Sequence, residues 1–189
     1  VSHELRTPLA VIEGAAEVLL DDPDLGGGRR DRVQRIARSA REMTQLVSAL
    51  LFLAREKKDD SLEAGCSVGE VLEQVVDSHR HLLKHKSLGI RLTIDRDRTL
   101  AVPCPLLGVV LANLVRNAIG YTESGEVSIQ LDADGVTVRD TGVGIPPEML
   151  QRVFERYYSG PAGGEGIGLS LVKRICEHYG WSIEIESET

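Results

Sequence analysis

Ser2-His3-Glu4-Leu5-Arg6-Thr7-Pro8 opens the chain and sets the register of its first helix. From Leu5 the apolar residues Leu5, Leu9, Ile12, Ala16 and Leu19 recur at alternating steps of four and three, the seam of a helix that packs along another helix. His3 and Glu4 stand at the head of that helix. An imidazole that titrates near neutrality is a usable nitrogen nucleophile, and a neighbouring carboxylate can take the proton from its other ring nitrogen. Taken alone, the pair is an ordinary surface feature, and its meaning depends on the rest of the chain. Pro8 removes the hydrogen bond to the Glu4 carbonyl, so a bend or local loosening is expected one turn after His3.

Asp21-Asp22-Pro23-Asp24 followed by Gly26-Gly27-Gly28 stops this helix and reverses the chain. A second helix then carries Val33, Ile36, Ala40, Met43, Val47, Leu50 and Ala54 at steps of three and four. The two form a hairpin with Leu46, Leu51 and Leu53 left over, and a hairpin that cannot bury its apolar surface is expected to dimerise into a four-helix bundle. The polar run over residues 56–60 reads as a linker. Beyond it, helices are expected over 68–83, 106–119, after Pro146-Pro147 and over 168–178. Strands are expected over 90–94, 126–131, 136–138 and 183–185, with a turn at Asp134-Gly135. This mixture indicates an α+β fold, an α/β sandwich with helices on one face of a mixed sheet.

The 189 residues are 42% hydrophobic and 4% aromatic, which suits one or two small units with aliphatic cores. With 22 Lys and Arg against 29 Asp and Glu, the charge is -7 and no basic stripe is present, so nucleic acid is not an expected partner. Cys66, Cys104 and Cys176 are odd in number and form no C-x-x-C pair; neither a disulfide framework nor a zinc site is indicated, and a reducing cytosol fits. They read as small buried apolar side chains. No apolar run looks long enough to span a bilayer. Because the chain starts at Val1 in mid-pattern, a fragment is expected, its parent holding a sensor or a membrane anchor.

Three constellations in the second unit could do chemistry. In Asn113-Leu114-Val115-Arg116-Asn117-Ala118 two amides four residues apart lie on one face of an apolar helix, where burial without a use is costly. Amide oxygens suit Mg²⁺, although two structural asparagines bonded to backbone would give the same pattern. Asp140-Thr141-Gly142-Val143-Gly144-Ile145-Pro146 lies at the end of a strand; its carboxylate can accept from an exocyclic amine such as adenine's, and its glycines let backbone approach a flat ring. Gly163-Gly164-Glu165-Gly166-Ile167-Gly168-Leu169 opens a helix, so its N–H groups can face phosphates.

In this order, behind a histidine-bearing hairpin, the motifs resemble those of the cytoplasmic core of a two-component sensor histidine kinase. Ser2 to Leu9 resembles the phospho-acceptor box, 113–122 the N box, 140–146 the first glycine box, Phe154-Glu155-Arg156-Tyr157-Tyr158 the F box and 164–169 the second glycine box. The resemblance implies a dimerisation and phosphotransfer hairpin over 1–58 and an ATP-binding Bergerat fold over 62–189. It implies that His3 takes the γ-phosphoryl of ATP and passes it to an aspartate of a response regulator. Glu4 would be the base, and Thr7 would orient water in the reverse, phosphatase reaction. Asn117 would hold Mg²⁺ with support from Asn113, Asp140 would bind the adenine amine, and Tyr121 would flank the nucleotide. Gly142, Gly144, Gly164, Gly166, Gly168 and Leu169 would shape the lid and phosphate loop, with Arg156 available to the γ-phosphate.

The pattern is broken in places. Relatives usually carry a lysine three residues after the magnesium asparagine, where this chain has Gly120; Arg116 lies about a quarter-turn off that face. The arginine that often comes after the F-box aromatics is replaced by Ser159, and the chain stops at Thr189 where relatives continue, so a C-terminal truncation is expected. Gly120 and Ser159 leave open a second reading, a dimeric nucleotide-binding scaffold or pseudokinase. An ATPase clamp of the gyrase or MutL kind is disfavoured because it needs no Ser2 to Pro8 box.

Overall fold

Helical seams at both ends of the first 59 residues leave one way to bury them, against each other. The computed structural model describes residues 2–55, 65–84, 86–155 and 168–187, and the chain divides into two compact units, Val1–Asp59 and Asp60–Thr189. In the first, α1 (Ser2–Leu20) packs against α2 (Gly27–Arg55). Among the described residues the small Ala16, Ala37 and Ala40 are the buried ones, which lets the two backbones approach there. Helix α1 runs unbroken through Pro8. The reversal is tighter than the Asp21 to Gly28 stretch suggests, because Gly27 and Gly28 already belong to α2. The Gly26 carbonyl accepts from Arg29 N (2.9 Å) and Arg30 N (3.0 Å), and the glycines are used to start a helix rather than to break one. Arg30 closes the turn from the other side, donating to the Leu20 carbonyl and the Asp22 carbonyl at 2.9 Å each.

The second unit begins with β1 (Cys66–Ser67), α3 (Val68–His79) and a 3-10 turn (Arg80–Leu83), followed by β2 (Ser87–Ile94) and β3 (Thr99–Leu100). Then come α4 (Cys104–Tyr121), β4 (Ser124–Leu131), β5 (Val136–Asp140), the single turn α5 (Pro147–Leu150) and α6 (Gly168–Tyr179). The main sheet has the order β2-β4-β5, with β2 parallel and β5 antiparallel to the central β4, while β1 and β3 pair separately. Val127, Ile129 and Leu131 alternate inward from β4 onto Val68, Leu72 and Val76 of α3 and Leu111, Val115 and Ile119 of α4. This is the α+β architecture expected, a mixed sheet covered by helices.

Helix α3 starts at a double cap. The Ser67 Oγ accepts from Glu70 N (3.0 Å) and donates to Asp97 Oδ2 (2.7 Å), and Asp97 Oδ1 accepts from Gly69 N (2.7 Å). These bonds to the ionised form hold the Asp97 carboxyl below its ordinary pKa. Helix α6 ends in a Schellman motif: Gly180 has φ 68°, its N–H donates to the Glu177 carbonyl, and Trp181 N donates to the Cys176 carbonyl.

Three expectations need correction. Residues 183–185 form no strand; exposure alternates through 181–187, but no ladder bond joins that segment to the sheet, so alternation there reports an extended chain alone. Cys66 and Cys104 are joined in a disulfide with their Cα atoms 5.3 Å apart, against the expectation of three unlinked thiols. Only Cys176 is a free, buried cysteine among the described residues. His79, at the end of α3, is half-buried; desolvation pushes its pKa below the ordinary value, partly opposed by its bond to the Val75 carbonyl. Finally, among the described residues the 18-residue helix α4 is long and apolar enough by composition to cross a membrane, but it contributes to the core of this unit.

Candidate functional site

The C-terminal half of α4, the loop after β5 and the start of α6 supply the site residues, because α4 packs against both β5 and α6. Asn113 is 3% exposed. Its Nδ2 donates to the Val109 carbonyl (2.8 Å) and its Oδ1 accepts from Arg116 Nη2 (3.0 Å), so its amide is engaged within α4. Asn117, one turn on, is half-buried, and among the described residues its amide has no hydrogen-bond partner. The two asparagines therefore differ: the amide oxygen available to a hard cation is that of Asn117, while Asn113 orders the helix and the Arg116 guanidinium.

At Gly168, within the second glycine box, there is no room for a side chain. A Cβ there would meet Asn113 Oδ1 at 2.7 Å and Arg116 Nη2 at 3.9 Å, so the first turn of α6 is seated directly on the buried amide. Leu169 beside it is half-buried. Arg156, Gly164 and Gly166 lie outside the described residues.

Asp140 ends β5 with its side chain exposed. Its Oδ1 accepts from Gly142 N (2.9 Å) and faces the Thr122 hydroxyl (3.3 Å), which also lies 2.8 Å from the Ala118 carbonyl. Among the described residues Oδ2 receives no donor, so the carboxylate is fixed by one oxygen and can accept through the other. Gly142 is pressed against the end of α4: a Cβ would collide with the Tyr121 carbonyl and come within 2.7 Å of Asp140 Oδ1. Val143 N donates to that same carbonyl (3.4 Å), and Gly144 has φ 69°, a left-handed conformation that glycine adopts without penalty. The loop is held from its far side by Ser187, whose Oγ accepts from Ile145 N (2.7 Å). Tyr121 is half-buried at the same junction.

In the hairpin, the backbone of His3 and Glu4 lies in the first turn of α1, and their side chains lie outside the described part of the structure. Thr7 is exposed one turn on. Two further residues meet at the end of α4, and neither was assigned a role from the sequence. Thr122 carried a local signal, standing immediately after the helix and four residues past Ala118. Lys86 carried none, since it meets the end of α4 across more than thirty residues of chain.

Residues 1–59 match the model of the His Kinase A (phospho-acceptor) domain, and residues 105–189 match that of the histidine kinase-, DNA gyrase B- and HSP90-like ATPases. The chain belongs to the two-component sensor histidine kinases. This sensor kinase segment is 33% identical over 190 residues to Sensor protein QseC of Escherichia coli K12, covering 97% of the chain and 42% of that protein. It is 31% identical over 210 residues to Sensor protein SrrB of Staphylococcus aureus NCTC 8325, covering the whole chain and 35% of that protein. The chain thus spans about two fifths of the curated relatives it matches. Among solved structures, full-length ShkA in complex with AMPPNP aligns with a TM-score of 0.59 and 28% identity, over 95% of this chain and 40% of that one. The cytoplasmic segment of histidine kinase QseC aligns with a TM-score of 0.52 and 28% identity, over 74% of this chain and 80% of that one.

Proposed function

We propose that the chain is the catalytic core of an ATP-dependent protein histidine kinase, in which residues 62–189 bind the nucleotide and His3 of the 1–58 hairpin receives its γ-phosphoryl group. The observation that carries this reading is the Asp140 carboxylate, fixed through Oδ1 by Gly142 N and left open at Oδ2 beside the glycine-walled end of α4. An acceptor so placed suits the 6-amine of adenine, with Gly142 seating the loop on the end of α4 at Tyr121 and Gly144 turning the chain away. Asn117 would hold Mg²⁺ through its amide oxygen, with Asn113 positioning the helix. When bound, the ion neutralises phosphate charge as the phosphoryl group leaves. Gly164, Gly166 and Gly168 would give close backbone approach to the phosphates, with Leu169 packing behind them and Arg156 offering a further cation.

In the reaction, a ring nitrogen of neutral His3 attacks the γ-phosphorus; the N–P bond forms as the bond to the β,γ-bridging oxygen breaks, and ADP leaves with that electron pair. Glu4 takes the proton from the other ring nitrogen. The phosphoryl group then passes to an aspartate of a response regulator, and Thr7 would orient water when the same surface hydrolyses the phosphorylated regulator. The hairpin would act as a homodimer.

The test is autophosphorylation with γ-labelled ATP and Mg²⁺. Label that is lost in acid and stable in base, and absent from both His3→Gln and Asn117→Asp, is the expected result. Label retained by His3→Gln would reject the assignment of the nucleophile. Calorimetric ADP binding without label in the parent protein would favour the nucleotide-binding scaffold, a reading that rests on Gly120 standing where a cation is usual.

A further inference from the structure

A helix rich in Leu and Val that ends at Gly120-Tyr121 has little of its own to hold its last turn: α4 has no basic residue there, and glycine is the poorest helix former after proline. Its final carbonyls carry the negative end of the helix dipole and lack intrahelical donors. Lys86, just before β2, supplies what is missing. Its Nζ donates to the carbonyls of Ile119 (2.8 Å), Thr122 (2.9 Å) and Gly120 (3.3 Å) and pairs with Glu123 Oε1 at 3.1 Å. The lysine side chain is only 18% exposed, whereas Glu123 is 81% exposed. One ammonium thus grips three acceptors of the α4 end from within the fold, with a solvated carboxylate outside.

The gripped turn is the one that builds the base-recognition corner. Between Gly120 and Thr122 lies Tyr121, whose carbonyl is packed on Gly142 and accepts from Val143 N. Thr122 reaches Asp140 Oδ1 through its hydroxyl while its carbonyl is held by Lys86. We infer that Lys86 is a positioning residue for nucleotide recognition: it fixes residues 119–122 so that Thr122 and Gly142 aim Asp140 at the 6-amino group of a purine. The inference rests on the nucleotide-binding reading above, and it adds a base-specificity device that acts through the helix end rather than by touching the ligand. It also accounts for how a glycine is tolerated at position 120, since the cation of Lys86 orders the carbonyl of that same residue.

Discrimination between ADP and IDP isolates the effect, because the inosine base presents a 6-oxo acceptor where adenine presents the 6-amine donor that Asp140 would accept from. Calorimetry on the full chain is expected to give tighter ADP than IDP binding. Lys86→Met should weaken ADP about tenfold, the order of one charge-assisted hydrogen bond, and leave IDP within about twofold. Lys86→Arg, which keeps charge and donors, should recover most of the ADP preference, and Glu123→Gln should keep it. A folded Lys86→Met with an unchanged ADP-to-IDP ratio would overturn the inference. Amide exchange in the nucleotide-free protein tests the grip separately: faster exchange at residues 120–123 is expected in Lys86→Met, and unchanged protection there would also overturn it. Absence of ADP binding by the parent chain would instead count against the nucleotide reading, leaving the exchange result to decide the role of Lys86. If Lys86→Met does not fold, the Lys86→Arg and Glu123→Gln comparison still decides, since loss of the ADP preference in Lys86→Arg with unchanged protection at 120–123 contradicts positioning by this cation.

Discussion

At the end of α4 the cation is supplied by Lys86 and not by position 120. Position 120 has no side chain, and a Cβ built there meets nothing within 4 Å, so the site has room for one. Lys86 holds the helix end from behind, while no cation projects from position 120 itself. Gly120→Lys is therefore expected to be sterically free and to stabilise the helix by roughly 0.5–1 kcal/mol through propensity. If that lysine reaches the phosphates, the KM for ATP should fall by about tenfold, the scale of one partly solvated charge-assisted hydrogen bond. A higher unfolding midpoint with an unaltered KM would place the phosphates beyond its reach. The contrast between Asn113 and Asn117 belongs to this scale too. Their spacing placed both on one face, but spacing cannot say which amide is consumed internally; the bond from Arg116 and the seat of Gly168 decide that in three dimensions.

Among the elements, those with their own periodicity were legible and those made by partners were not. Helices α1, α2 and α3 arise from apolar residues at helical spacing, α4 from a strongly apolar run, and β4 and β5 from alternation bounded by the Asp132 turn, whose carboxylate accepts from Asp134 N and Gly135 N. The β1 and β3 pair is only two residues long on each side, too short for any pattern, and residues 183–185 had the alternation without a ladder partner. The order of glycine boxes was readable because a close backbone approach excludes every side chain, as Gly142 and Gly168 illustrate. The Cys66 to Cys104 link was not, because two cysteines 38 residues apart with no paired motif leave no local trace. That link ties β1 to the first turn of α4, and closing a loop of this size stabilises the unit by about 4 kcal/mol in the chain-entropy treatment. Urea unfolding should show a lower midpoint in the presence of a reductant. The double variant Cys66→Ser/Cys104→Ser should unfold early with or without it. A parent midpoint indifferent to reductant would mean that the two thiols are not linked in solution.

For the whole molecule the hairpin poses the larger physical problem. Among its described residues the buried ones are alanines, and Val11 (66% exposed), Val18 (73%), Ile12, Leu19, Ile36 and Met43 remain open to solvent. Leu9, Ile12, Ile36, Ala40 and Met43 also line a groove between α1 and α2, with Arg32 and Arg35 beside them. Two helices alone cannot cover such a surface, whereas a second hairpin can lay its own apolar seam into it and complete a bundle. Val11 and Val18 are seven residues apart and so share one face of α1. Placing charge on both, as Val11→Glu/Val18→Glu, should make dimer formation far less favourable while leaving the second unit folded. Sedimentation equilibrium is expected to give a dimer for the parent chain and a monomer for the double variant, with ADP binding by the second unit unchanged. A double variant that stays dimeric would move the interface to another face of the hairpin. A monomeric parent would require the exposed valines to be covered by something other than a second copy.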